Sequence, residues 1–296
     1  MMHRPSIPET RLLCPQRDAV PKGDIHLGGD DEGAPMHRLW TPPKIIAHRG
    51  ASGVAPENTL VAFEEALRLG AGWIEFDVQR CRSGEVVVFH DATLDRTTNG
   101  RGEVREMTLS ALKRLDAGGH FSPRFRGEPI PTLGEVFERF SGRLGFNIEI
   151  KSEDAVSDGI EAMVVSLVER FDLVTQVIVS SFNPIVLARI QRLNPAIERA
   201  LLLHPDQTRQ RYARFWYPFV DRPHAFHPDF TWLSHAFLHR ARRGGRQVNV
   251  WTVNEASDLL RMLEWGVDGI ITNHPERLRR LIEDRRGRLP DPHRFG

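Results

Sequence analysis

Costly side chains sit at the ends of short apolar runs in this chain, where a strand hands over to a loop. His48 and Arg49 follow IIA, and His90 follows VVVF. Glu75 and Asp77 lie two apart in IEFD, and Glu149 and Lys151 two apart in IEIK, with Asn147 two residues earlier. Side chains two apart on a strand share a face, so each pair projects to one side. Three carboxylates facing one interior need compensation, because an unpaired buried charge is expensive. Lys151 offsets one of them. A divalent cation would offset the others, and an all-oxygen ligand set suits a hard ion, Mg²⁺ or Ca²⁺. Structural ion pairs with Arg49 and Lys151 are the alternative reading of the same residues.

Two imidazoles beside such a group can divide the work at a phosphorus centre. One of the pair, His48 and His90, would take a proton from the nucleophile and the other would give a proton to the leaving oxygen. Arg49 and Lys151 would hold the nonbridging oxygens and stabilise the charge that develops there. Asp91 and Arg96 would orient His90 or tie down the segment that follows it. Glu57, in PENT, is a further candidate for the metal; Asn58 or Thr59 beside it would cap a helix. Trp251 ends an apolar run, where it can wall a substrate pocket or simply pack in the core. The aromatic stretch from Arg214 to His239 could form a greasy rim, but packing explains most of it. Its histidines, His227 included, are not taken as ligands.

The elements that would position these residues alternate along the chain. Strand-like runs occur at residues 44–48, 72–78, 145–151, 176–181, 198–203, 224–227, 247–252 and 268–272. Amphipathic helical patterns separate them, the poorest near Gln207–Arg214, and Gly70 and Gly266 supply left-handed helix ends. Eight strands each followed by a helix predict an α/β fold, a parallel (β/α)8 TIM barrel. An open doubly wound sheet would need the Gly-rich dinucleotide turn that is missing here. A segment at about 91–131 is too long for a simple loop and is expected as a small insertion after the second strand, on the active-site face. Residues 1–40 carry Pro, Gly, Asp and Arg without a period and are expected to be a disordered extension. The barrel would occupy 41–285, and 286–296 a C-terminal tail.

Composition excludes several classes. With 40% apolar and 27% charged residues among 296, the chain has an ordinary globular make-up. A net charge of +1 gives no reason to expect a nucleic-acid partner, and Arg240–Arg243 and Arg285–Arg286 read as solvated helix ends. Two cysteines, Cys14 and Cys81, make neither a disulfide framework nor a zinc site. No run of about 18 apolar residues predicts a transmembrane segment, and the N-terminus lacks the apolar core of a secretory signal. A cytoplasmic location is expected.

Taken together, AHRGASGVAPENTLVAF, IEFDVQ, VVVFHDATLDRTTNGRG, PTLGEVF, NIEIKSE, SSFNP, VWTVNE and GIITNHPE resemble the glycerophosphodiester phosphodiesterase family. The resemblance runs from about Lys44 to about Leu281, in the family's order. It implies a (β/α)8 barrel with an insertion after the second strand, and hydrolysis of glycerophosphodiesters to glycerol phosphate and an alcohol. It also implies that His48 and His90 are the acid–base pair, that Glu75, Asp77 and Glu149 bind a divalent metal with Glu57 nearby, and that Arg49 and Lys151 contact phosphate. The N-terminal extension and the connection from His204 to His227 depart from the family pattern, which leaves the head group open. A lysophospholipase D-type activity on lysolipids, with a wider apolar approach to the same centre, is the alternative within enzymes. A phosphodiester-binding protein without turnover is the alternative outside them, and an intact proton-transfer pair argues against it.

Overall fold

The computed structural model describes residues 41–152, 156–204 and 223–288. The expectations for residues 1–40, for a helix near Gln207–Arg214 and for most of the C-terminal tail fall outside these residues.

Among the described residues, nine strands form one sheet: β1 (Lys44–His48), β2 (Trp73–Arg80), β3 (Val86–Val88), β4 (Gly145–Ile150), β5 (Val177–Ser181), β6 (Glu198–Leu203), β7 (Ala225–Pro228), β8 (Gln247–Val250) and β9 (Gly269–Thr272). Its order is β1-β9-β8-β7-β6-β5-β4-β2-β3, and β1 also pairs with β2. That last pairing closes eight parallel strands into a barrel. β3 pairs antiparallel with β2 at the end of that order; it stands outside the repeat of strand and helix, so the alternation did not mark it as a separate strand.

Helices α1 (Leu60–Arg68), α3 (Leu133–Phe140), α4 (Ile160–Arg170), α5 (Pro184–Leu193), α6 (His235–Arg243), α7 (Ala256–Trp265) and α8 (Pro275–Arg288) follow barrel strands; α2 (Leu109–Leu112) is a single turn in the insertion. Several start where local chemistry says they must. Thr132 accepts from the Glu135 backbone while the Glu135 side chain returns to Thr132, a complete capping box for α3. Asn183 caps α5, with Pro184 in its first turn. α7 closes on Gly266 at φ 68°.

Alternation along the strands divides the molecule into two environments. On β2, Ile74, Phe76 and Val78 join the main apolar cluster with Phe63, Phe137, Phe140 and Phe146 from the surrounding helices and β4. The rings interlock, with centroids 5.4 Å apart for Phe63–Phe76 and 5.1 Å for Phe137–Phe146. The opposite face of the same strand carries Glu75 and Asp77 into the barrel. A separate small core of Cys81, Val87, Phe89, Leu94, Val104, Leu112, Ala117 and Ile130 holds the insertion together. Among the described residues, no helix is long and apolar enough to cross a membrane.

Candidate active site at the strand ends

Parallel pairing aligns the tips of neighbouring strands, and the register brings the chemistry together. His48 pairs with Glu75 across β1 and β2, and Glu75 and Asp77 pair with Asn147 and Glu149 across β2 and β4. Glu75, Asp77 and Glu149 each offer an oxygen within 4.8 Å of the others, and all three are buried. Lys151, just past β4, lies 3.1 Å from Asp77 and 2.7 Å from Glu149. Arg49 Nε lies 3.4 Å from Asp77 Oδ2.

These positions fix the electrostatics. Burial, then the charges on Asp77 and Glu149, push the Glu75 carboxyl well above its ordinary range. Glu149 is raised by burial in the same way. Burial opposes ionisation of Asp77 too, but Lys151 and Arg49 overcome it and hold that carboxyl low. Two cations therefore stabilise one anion well and leave the group short of positive charge. A divalent cation fits this deficit, and an all-oxygen cluster suits a hard ion.

Glu57 stands outside that group of three. Its carboxylate takes Arg49 NH1 at 2.8 Å and both terminal nitrogens of Arg96 at 2.8 Å each. Against the cost of burial, the hydrogen bonds from Arg96 and the charge of Arg49 lower its pKa to about 2. Arg96 also clasps Asp91, through Nε at 2.6 Å and NH2 at 3.0 Å. Asp91 in turn contacts His90 Nδ1 at 2.5 Å. One guanidinium thus joins the turn before α1 to the segment after β3, so it both ties the insertion down and backs the partner of His90.

The turn from Arg49 to Asn58 is tightly wound. Arg49 and Asn58 both take positive φ, 54° and 59°, a costly conformation that their contacts over-determine. The Arg49 amide donates to Glu75 Oε2 at 3.0 Å, and the Asn58 amide donates to the Arg49 carbonyl at 3.0 Å. Gly50, at φ 82°, has no alternative, because a Cβ there would lie 2.7 Å from the backbone of Ala62. Thr59 takes the N-cap of α1. Asn58, not needed as a cap, turns inward, and its Nδ2 donates to Asp77 Oδ2 at 2.9 Å.

His48 and His90 line one cleft with Arg49, Lys151, Glu75 and Glu149. His48 Nε2 is 3.9 Å from Glu75 Oε2, and its Nδ1 is 2.6 Å from Asn273 Oδ1. Burial, reinforced by Arg49, pushes the His48 imidazole down to about 4. His90 is lowered as well, chiefly by burial. Gln79, inward on β2 after Asp77, reaches the carbonyls of Phe89, His90 and Asp91 at 3.0, 3.1 and 2.7 Å and so fixes the backbone that carries His90. Trp251 lines the cleft beside Phe182, their rings 5.6 Å apart and perpendicular. His227 lies elsewhere, fully buried, with Nε2 2.9 Å from Asn249 Nδ2.

Sequence reasoning missed Asn58 as a partner of Asp77, Gln79 as a backbone clamp and Asn273 as the partner of His48. Only position hinted at them: Gln79 follows Asp77 by two, and Asn273 follows the last residue of β9.

Known proteins resemble this chain over most of its length. Residues 48–277 match the model of the glycerophosphoryl diester phosphodiesterase family. A glycerophosphodiester phosphodiesterase from Caldanaerobacter subterraneus subsp. tengcongensis is 39% identical over 240 residues, which cover 80% of this chain and 97% of that protein. A second, from Bacillus subtilis, is 34% identical over 254 residues, covering 80% of this chain and 86% of the other. Among solved structures, an Oleispira antarctica phosphodiesterase in complex with the product sn-glycerol-3-phosphate superposes with a TM-score of 0.72 at 31% identity, covering 82% of this chain and 97% of that one. The chain belongs to the glycerophosphoryl diester phosphodiesterase family and is an enzyme of it, a hydrolase of phosphodiesters.

Proposed function

We propose that this enzyme hydrolyses glycerophosphodiesters to glycerol 3-phosphate and an alcohol, with His48 as base and His90 as acid. The observation that carries the reading is the cleft itself, which both imidazoles line with two cations and the carboxylates of Glu75 and Glu149. Arg49 and Lys151 bind the nonbridging oxygens and stabilise their growing charge. His48 takes the proton of the attacking hydroxyl, from water or from the glycerol 2-hydroxyl. A new P–O bond forms as the bond to the alcohol breaks, and His90 protonates the departing oxygen. Each transfer by a positioned imidazole contributes about 10²–10⁴-fold in rate. Attack by the 2-hydroxyl would give a cyclic phosphate that a second, water-driven cycle opens.

Glu75, Asp77 and Glu149 would hold a divalent cation, Mg²⁺ or Ca²⁺, which when bound supplies Lewis-acid polarisation of the phosphodiester. Trp251 walls the side of the cleft that receives the substrate's carbon skeleton.

The test is release of glycerol 3-phosphate from glycerophosphocholine and glycerophosphoethanolamine, with EDTA and then with Mg²⁺ or Ca²⁺ restored. Metal-restored release is expected. No release from either substrate by folded, metal-loaded protein would overturn the reading. The apolar wall of Trp251, Phe182, Leu202 and Ile271 favours lysolipids as the second reading. Faster turnover of lysophosphatidylcholine below its critical micelle concentration than of glycerophosphocholine would select it.

A further inference from the structure

The two histidines of the cleft are held by chemically different partners. His90 Nδ1 meets a carboxylate, Asp91. His48 Nδ1 meets the side-chain oxygen of Asn273, a neutral amide. Asn273 lies in the turn between β9 and α8, and neighbours on three sides fix that turn. Its backbone N–H donates to Asn254 Oδ1 at 2.9 Å, and its carbonyl accepts from the Gly53 amide at 3.0 Å. The His274 amide donates to Thr272 Oγ1 at 3.0 Å, and Arg277 NH1 donates to the Asn254 carbonyl at 3.2 Å. Gly53 lets the His48 turn lie flat against this one, since any Cβ there would strike the His274 ring and the Asn273 carbonyl. The Asn273 amide is therefore presented at a set place.

An amide oxygen only accepts, so the proton in this contact must sit on His48 Nδ1. The other nitrogen, Nε2, then carries a lone pair, and it is the one that faces Glu75 across the cleft. We propose that Asn273 is a positioning residue that fixes His48 in the Nδ1–H tautomer, leaving Nε2 as a ready proton acceptor at the reaction centre. This inference rests on the reading of His48 as base given above, and it adds how that role is set. A neutral acceptor orients the ring and selects its tautomer without the pull on the proton that a carboxylate would exert, which distinguishes His48 from His90. Asn254 acts one step further back, by holding Asn273.

Long-range ¹H–¹⁵N spectra of [¹⁵N]histidine-labelled full-length protein test the tautomer directly, with His48 identified by the resonances lost in His48→Gln. The expected result is a protonated Nδ1 and an unprotonated Nε2. Asn273→Leu, which has no acceptor, should release the ring toward the Nε2–H form and lower kcat about 100-fold with KM within about threefold. Asn273→Asp returns an oxygen to the same place and should recover at least about tenfold over the Leu variant. Should the Leu variant fold poorly by thermal melting, Asn273→Ser, too short to reach His48, serves instead. An Nε2–H tautomer in the wild-type protein would overturn the proposal, as would Leu or Ser variants that keep both the tautomer and kcat. An active His48→Gln enzyme would defeat the reading of His48 as base and with it Asn273's part in the reaction, and the kinetics alone would show this.

Discussion

Arg96 meets Glu57 with both terminal nitrogens, 2.8 Å to each carboxylate oxygen, across 39 positions of sequence. The same guanidinium holds Asp91, the partner of His90. Glu57 also receives Arg49, so one bidentate pair couples the turn that carries Arg49 to the acid of the proposed mechanism. Planar, forked donors make such a contact directional, and a lysine cannot reproduce it.

Arg96→Lys should therefore lower kcat by about 10- to 100-fold through lost orientation of His90. Its cost in stability should stay within about 1 kcal/mol, because half of the Arg96 side chain is exposed. Steady-state kinetics beside a urea melt separate the two effects. A variant with wild-type kcat would show that the clasp is only structural.

Lys151 is the nearest cation to both Asp77 and Glu149. Lys151→Met should destabilise the metal-free protein by about 3 kcal/mol, since it leaves buried carboxylates without their partner. Added Ca²⁺ or Mg²⁺ should then raise the melting temperature of the variant more than that of the wild type. Equal shifts would mean that the lysine and the cation do not answer the same charge.

Glu75 gives the opposite sign. Its carboxyl is raised by burial and by the charges of Asp77 and Glu149, so the ionised form is a liability without metal. Glu75→Gln should melt at or above the wild type in EDTA and lose most of the metal-induced rise, which follows the ratio of free ion to Kd. A variant with an undiminished metal shift would remove Glu75 from the ligand set.

His227 predicts a pH dependence away from the cleft. Burial first, then the charge of Lys44, lowers its pKa from 6.5 to about 3 in the folded state. The unfolded chain thus binds the extra proton below about pH 6.5, and stability is full above that value and falls as pH drops toward 3. By pH 5 this single group costs about 2 kcal/mol. Urea melts at pH 7.5 and pH 5 should show a smaller loss for His227→Gln than for wild type. The comparison uses each protein's own pH difference, so the cavity or strain of the substitution cancels. Equal losses would mean that His227 is protonated in the folded state.

Strand tips were legible in the sequence for a simple reason. A parallel strand buried on its outer face reads as an apolar run, and a polar residue that ends it is out of place unless the tip is used. His48, Glu75, Asp77, Glu149 and Lys151 each break such a run, and the period of two places Glu75 with Asp77, and Glu149 with Lys151, on one face. The eight-strand alternation gave the closed barrel for the same reason. β3 was not legible as a separate strand, because three valines in a row suit an apolar run of any kind.

Partners were a different matter. PENT could be read as a helix start with Asn58 or Thr59 as its cap, and both choices satisfy the local rules. Only the position of β2 decided that Thr59 caps α1 while Asn58 reaches Asp77. Glu57 carries no mark that distinguishes a metal ligand from an ion-pair partner, and only the fold brings Arg49 and Arg96 onto its carboxylate. Asn273 is 225 residues from His48, and a barrel joins them because its last strand must lie beside its first. The sequence by itself determined which side chains stand at the strand ends, since period and polarity are local properties of the chain. Tertiary structure alone decided which of them meet and in what charge state, since register, closure and burial are properties of the whole barrel.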